Sequence, residues 1–274
     1  MDCNFLRFLY ETVPGRAMLK ILSSKGISVM SGKMLDAHFS TLLISSFVKK
    51  NGIDLEEYEE CKYESFNDFF CRKIKKEKRP IDMEPAHLIA PCDGLLSTYK
   101  ITDGLVIPVK QSHYSIESLL QNKKLAEEFR NGTCLVYRLC VNHYHRYAYV
   151  DGGKKSRNVH INGVFHTVRP IALNNIPVFT TNSREYTLIK SDKFGTLVQM
   201  EVGALLVGKI VNHQEDAIIE RGAEKGYFQY GGSTIIVLIK EGRVNIPSSY
   251  YESTQNGDEV PVVLGQKIGE AKNE

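Results

Sequence analysis

Gly226-Tyr227-Phe228-Gln229-Tyr230-Gly231-Gly232-Ser233-Thr234-Ile235-Ile236-Val237-Leu238 passes from an aromatic, glycine-punctuated turn straight into an apolar, β-branched run. Such a run, bounded by glycines, predicts a buried strand. Comparable segments at 135–141, 197–202 and 204–211, and a closing strand near 260–264, are separated by Gly, Asn and Asp turns. From residue 90 onward the expectation is therefore a mainly antiparallel, β-rich body. A helix or loop region at 112–131 interrupts it, and 250–258 reads as a polar loop.

Upstream of that body the period changes. Phe5, Leu6, Phe8 and Leu9, then Met18, Leu19, Ile21 and Leu22, place apolar groups on one side of short helices, with Pro14-Gly15 as a break. Ser65 is placed to cap a helix that carries Asp68, Phe66, Phe69, Phe70 and Ile74 and ends before Pro80. The composition shift near residue 85 gives an α+β protein: a helical N-terminal region over 1–85 layered on a β-rich body over 86–274. The N-terminal helices read first as core-packing elements. With Arg7, Arg16 and Lys20 among the apolar groups, a membrane-contacting surface is the second reading. The basic run at 72–79 is either a solvated face or a match for anionic lipid headgroups.

Bulk properties narrow the classes. In 274 residues, 35 Lys+Arg against 32 Asp+Glu leave a net charge of +3, too weak a bias to call for a nucleic-acid partner. The six cysteines, Cys3, Cys61, Cys71, Cys92, Cys134 and Cys140, form no CxxC pair, so reduced thiols are expected and a structural zinc is not. Charged residues interrupt every hydrophobic run before it reaches a bilayer-spanning length, and Asp2 and Glu11 suit a secretory signal poorly. Retention in the cytoplasm, or on the membrane face it meets, follows as the expectation.

Three local features carry chemistry. Asp93-Gly94, within Ala90-Pro91-Cys92-Asp93-Gly94, is either a structural turn or a carboxylate presented between strands. His143 and His145 lie at i and i+2 after a strand; no partner of ligand-like spacing accompanies them, so no metal is expected, but an imidazole at a strand end can act as a general base. Ser233 follows two glycines. Gly232 has no Cβ, which leaves its carbonyl open to attack by the Ser233 hydroxyl, and no GxSxG elbow surrounds the serine to suggest a hydrolase.

Taken in order, these pieces and several others resemble one family. Phe69-Phe70-Cys71-Arg72 with Arg79-Pro80-Ile81, Ala90 to Gly94, Tyr144-His145-Arg146, Asn182-Ser183-Arg184-Glu185, Val202-Gly203-Ala204 with Val207-Gly208-Lys209-Ile210, Gly231-Gly232-Ser233-Thr234 and Gly265-Gln266-Lys267-Ile268-Gly269 are similar to the pyruvoyl-dependent phosphatidylserine decarboxylases over nearly the whole chain. The family's LGST or FGST cleavage motif falls on Gly231 to Thr234, with Gly in first place. The resemblance implies that Ser233 attacks the Gly232 carbonyl. The chain then parts between Gly232 and Ser233 into a β chain of 1–232 and an α chain of 233–274, and Ser233 becomes a covalent pyruvoyl cofactor. It further implies that Asp93 orients an imidazole that takes the serine proton, an assignment falling on His145. Many members carry Tyr-His-Arg-x-His; here Ala148 stands at the second histidine, which leaves His166 and His143 as auxiliary candidates.

Decarboxylation leaves a carbanion that needs an electron sink. The pyruvoyl carbonyl provides one through a Schiff base with the substrate amine. The implied reaction converts phosphatidylserine to phosphatidylethanolamine, at the cytoplasmic side of the cell membrane, by a peripheral homodimer of β/α heterodimers. The competing readings are a catalytically silent lipid-binding relative and a pyruvoyl decarboxylase for another amino-acid substrate.

Overall fold

The computed structural model describes residues 3–109, 112–204, 209–231 and 233–272; Gly232, at the expected cut, and Val207-Gly208 of the quoted motif lie outside the described residues. The β-body is built on a nine-stranded sheet whose described pairings are all antiparallel. Ser233–Ile239 lies inside that sheet, with Gly195–Val202 on one side and Thr133–Leu139 on the other. All seven of its residues are buried. A strand covered on both faces has no solvent side to make polar, which is why this one reads as a continuous apolar run rather than an alternation. Its register sets Ser233 opposite Leu139, and Thr234 opposite both Arg138 and Val202.

Smaller antiparallel sheets flank the large one. Arg146–Ala148 pairs with Glu224–Phe228, and that strand with Ile210–Asn212. The chain ends on Lys267–Ala271, which pairs with His87–Ile89 and Val244–Asn245. The architecture is α+β, as expected. Within the β-body its details differ in three places. The strand expected over 204–211 is described only at Ile210–Asn212. The expected closing strand is Val260–Val262, and Lys267–Ala271 follows it. The expected polar loop at 250–258 is largely a helix, Ser248–Gln255. Its polar composition hid the docking of Tyr250 and Tyr251 on the core and a hydrogen bond of 2.8 Å from the Thr98 N–H to Thr254 Oγ1.

Five of the described α-helices precede the first strand: α1 (Cys3–Glu11), α2 (Val13–Leu22), α3 (Lys25–Asp36), α4 (Ile44–Asn51) and α5 (Phe66–Phe70). The α1–α2 break falls at Thr12, whose hydroxyl caps α2 by accepting the Gly15 N–H at 3.0 Å. Pro14 lies in the first turn of α2, where its missing N–H costs nothing. Gly15 is required by contact: a Cβ there would strike the Phe8 carbonyl of α1. Leu6, Leu9, Tyr10 and Leu19 join the main core, while Val13, Ile21, Phe39 and Leu42 remain exposed.

Ser65 caps α5 as expected, accepting the Asp68 N–H at 3.1 Å. The helix stops at Phe70, however, and does not run on toward Pro80. The Cys71 carbonyl is taken by Arg146 Nε at 2.6 Å instead of by a further helical turn. Arg72 turns inward, its guanidinium 4.1 Å from the Tyr58 ring centroid and 4.8 Å from that of Phe69.

Candidate active site

Ser233 opens the central strand, fully buried, and its Oγ has no hydrogen-bond partner among the described residues. His145 reaches the neighbouring backbone from a turn. After Leu139 the chain folds back tightly, with the His143 N–H on the Cys140 carbonyl at 3.0 Å and the Cys140 N–H on His143 Nδ1 at 3.1 Å. The Phe228 N–H pins the His145 carbonyl at 3.0 Å. The His145 ring lies 4.1 Å from Phe70, centroid to centroid, and donates from Nδ1 to the His143 carbonyl oxygen at 2.9 Å.

That bond fixes the tautomer. A carbonyl oxygen only accepts, so in the neutral ring Nδ1 carries the proton and Nε2 the lone pair. Burial dominates the ring's titration and depresses its pKa to about 3, although the backbone of His143 and of Gly231 favours the charged form. The imidazole is thus neutral near pH 7. Its Nε2 is buried and meets no hydrogen-bond partner of ordinary geometry among the described residues, while the Gly231 backbone, two residues before Ser233, comes near enough to favour the charged ring. The fold brings His145 close to Gly231, in the segment where the sequence places the expected cut.

The contacts of Asp93 lie elsewhere. Arg79 grips both its oxygens, Nε to Oδ1 at 2.8 Å and Nη2 to Oδ2 at 2.7 Å, and the Leu264 N–H donates to Oδ1 at 2.9 Å. No described hydrogen bond joins Asp93 to His145, so the expected orientation of that ring by Asp93 gives way to the His143 carbonyl. His143 feels Asp93 through space: burial lowers its pKa, and the carboxylate partly offsets this. Ala148 is buried among Tyr58, Ile74, Tyr144 and Leu264, its N–H on the Pro91 carbonyl at 2.8 Å. His166 sits by α1, its Nδ1 3.4 Å from the Tyr10 hydroxyl, and burial lowers its pKa too. Among the described contacts none ties His166 to Ser233, Asp93 or His145.

Several residues with structural weight at the site had no assigned role in the sequence. The Asn182 side chain donates to the carbonyls of His166 and Gly203, each at 2.7 Å, and accepts the His166 N–H at 2.9 Å, stapling two loops. Phe70 packs on both His145 and Tyr230, with ring centroids 4.1 and 5.1 Å away, and Tyr230 helps line a cavity of about 240 Å³ together with Leu35, Leu43, Phe47, Lys50 and Phe66. Lys225 and Glu201 form a fully buried ion pair at 2.6 Å. The Asn182-Ser183-Arg184 motif was a visible signal for the staple; nothing in linear spacing paired Arg79 with Asp93 or Lys225 with Glu201. Of the basic run at 72–79, Arg72 is buried on aromatic rings and Arg79 is bound to Asp93, so neither is free for a headgroup.

Among the described residues no group of three or more His, Cys, Asp or Glu is arranged to hold a metal ion, and no helix is long and apolar enough to cross a membrane. A family model described as phosphatidylserine decarboxylase matches residues 66–270. The chain is 42% identical over 269 residues to the phosphatidylserine decarboxylase proenzyme 2 of Clostridium acetobutylicum, spanning 98% of this chain and 92% of that protein. It is 39% identical over 275 residues to a phosphatidylserine decarboxylase proenzyme of Clostridium botulinum, covering 98% and 93%. A Clostridium perfringens proenzyme of the same name is 38% identical over 272 residues, covering 97% and 92%.

Proposed function

The chain belongs to the phosphatidylserine decarboxylase family, and we propose that it is a proenzyme that cuts itself between Gly232 and Ser233 and then decarboxylates phosphatidylserine to phosphatidylethanolamine. One observation carries this reading: among the described residues His145 Nε2 and Ser233 Oγ are both buried without a partner of ordinary hydrogen-bond geometry, and the backbone of Gly231, two residues before Ser233, lies beside the imidazole. An unsatisfied buried polar group costs about 1–3 kcal/mol. Two of them beside one loop fit a nucleophile and its base better than a strand that merely begins there.

In this reading Nε2 takes the proton from Ser233 Oγ as the oxygen attacks the Gly232 carbonyl carbon. The Gly232–Ser233 C–N bond breaks, the nitrogen gains the proton, and an ester to Oγ replaces the amide. Loss of the residue-233 Cα proton then expels Gly232 as a carboxylate by breaking the Cβ–Oγ bond. One water displaces the nitrogen as ammonia and leaves a keto group. A wholly buried serine two residues after the Gly231 backbone that borders a neutral imidazole fits a group made from that serine. The pyruvoyl group supplies the carbonyl that receives the electron pair left by departing carbon dioxide. Phe70 packs on the His145 ring and Tyr230 on Phe70, which shields the imidazole from water.

The proposal extends to peripheral attachment at the cytoplasmic side of the membrane, through apolar groups exposed between residues 13 and 43, and to a homodimer of cleaved chains. Mass spectrometry of purified protein tests its centre. A 233–274 fragment with a pyruvoyl end, together with carbon dioxide release from phosphatidylserine, is the expected result. An uncut chain without that group that still decarboxylates the lipid overturns it.

A further inference from the structure

Arg79 reaches Asp93 from the segment that leads into the β-body, and its placement is rigid. Two parallel N–H···O bonds, 2.8 and 2.7 Å, lock the planar guanidinium onto both carboxylate oxygens, and Glu57 braces Nη2 at 3.2 Å. The backbone fixes the same geometry. Gly265 adopts φ +84°, and a Cβ there would collide with the Pro80 carbonyl and with Ile81. The Asp82 N–H donates to the Gly265 carbonyl at 3.0 Å, and the adjacent Leu264 supplies the third bond to Asp93. Beside this pair lies a cavity of about 590 Å³ whose lining includes Arg79, Tyr144, Ala148 and Leu264. Arg79 and the small side chain at 148 thus face the same space. No imidazole contacts Asp93 there; a guanidinium does.

We propose that Arg79 is the positioning residue of self-cleavage, answering the Asp93 carboxylate where Ala148 supplies no ring. This rests on the cleavage reading above. An arginine cannot accept the serine proton, so its work is to hold the Asp93 carboxylate in one orientation while a neutral imidazole acts as base. The other titratable groups that face Asp93 are Cys92, Tyr58 and Tyr144, each raised by burial, and His143, lowered by burial with Asp93 opposing. A buried carboxylate that loses its cation keeps its proton to higher pH.

The test follows full-length chain made by cell-free translation, with conversion to the 1–232 and 233–274 fragments read over time on denaturing gels from pH 5 to 9. Arg79→Met is expected to slow cutting at pH 7 by about tenfold or more and to move the acid limb of the rate profile upward. In an Asp93→Asn background the same substitution moves no limb. Adding Ala148→His to Arg79→Met, in a cavity with room for the ring, restores most of the rate. A purely structural loss would lower the yield at every pH without displacing the limb. An unshifted profile in Arg79→Met at wild-type rate overturns the assignment. Cutting that persists in Ser233→Ala would instead overturn the cleavage reading itself.

Discussion

His145 Nδ1 donates to the His143 carbonyl oxygen at 2.9 Å, so the backbone of one histidine sets the chemistry of the next but one. The group doing the orienting is a main-chain oxygen, which survives any substitution of the His143 side chain. His145→Gln removes the base and is expected to slow self-cleavage by about 10²- to 10⁴-fold. His143→Ala keeps the orienting carbonyl and should cut within a few fold of wild type. Time courses of fragment formation, with circular dichroism to verify folding, distinguish the two. A His143→Ala chain that is as slow as His145→Gln would move the base to the other ring.

The three buried imidazoles also bear on stability. Burial lowers the pKa of His143, His145 and His166. In the unfolded chain each ring takes a proton below about 6.5, whereas folded His145 stays neutral down to about 3. Between those values the unfolded state binds more protons, so stability falls as pH falls through that window. Melting temperature should therefore drop between pH 7.5 and pH 5. His145→Phe, which can still pack on Phe70, should lessen the drop, and an unchanged slope in that variant would contradict a buried neutral ring.

Lys225 and Glu201 form a pair at 2.6 Å with both side chains fully buried, and Asn212 adds a hydrogen bond to each. Burial raises the Glu201 pKa, with Lys225 opposing it. Removing one partner strands the other, so Lys225→Met should cost about 3–5 kcal/mol in denaturant unfolding. Glu201→Leu combined with Lys225→Met leaves no orphan charge and should recover most of that loss. A double variant as unstable as the single one would show that the contacts of Lys225 with Asn212 and the Tyr147 ring matter more than the pair.

The legible parts of the molecule were those written locally. The run after Gly232 declared a strand because both its faces are buried, and the Ser65 cap declared α5 because a helix start needs nearby acceptors. What escaped was decided by partners far away in sequence. The end of α5 depends on Arg146 taking the Cys71 carbonyl, 75 residues on. The fate of Asp93 depends on Arg79, which reads as one more cation in a basic run until folding brings a carboxylate to it. The helix Ser248–Gln255 carries too little apolar surface to show a period, since its anchors are two tyrosines and one threonine hydroxyl.

Membrane attachment makes a demand that can be checked residue by residue. Phe39 and Leu42, in the short 3₁₀ segment His38–Leu43, are 62% and 83% exposed, a poor arrangement for large apolar groups facing only water. Close by, Leu43, Phe47 and Lys50 line the cavity that leads to Tyr230 and Phe70, so apolar insertion and a cation meet at one entrance. Burying a Leu or Phe side chain is worth about 1.5–3 kcal/mol, and each lysine near an anionic surface about 1 kcal/mol. Phe39→Ser with Leu42→Ser should therefore cut binding to vesicles of phosphatidylserine and phosphatidylcholine by about a hundredfold or more. Lys50→Gln should weaken it about fivefold at low salt and little at high salt, where screening already suppresses the attraction. Co-sedimentation measures both. If the doubly substituted chain sediments with vesicles as wild type does, the 38–43 segment is not the part that meets the lipid.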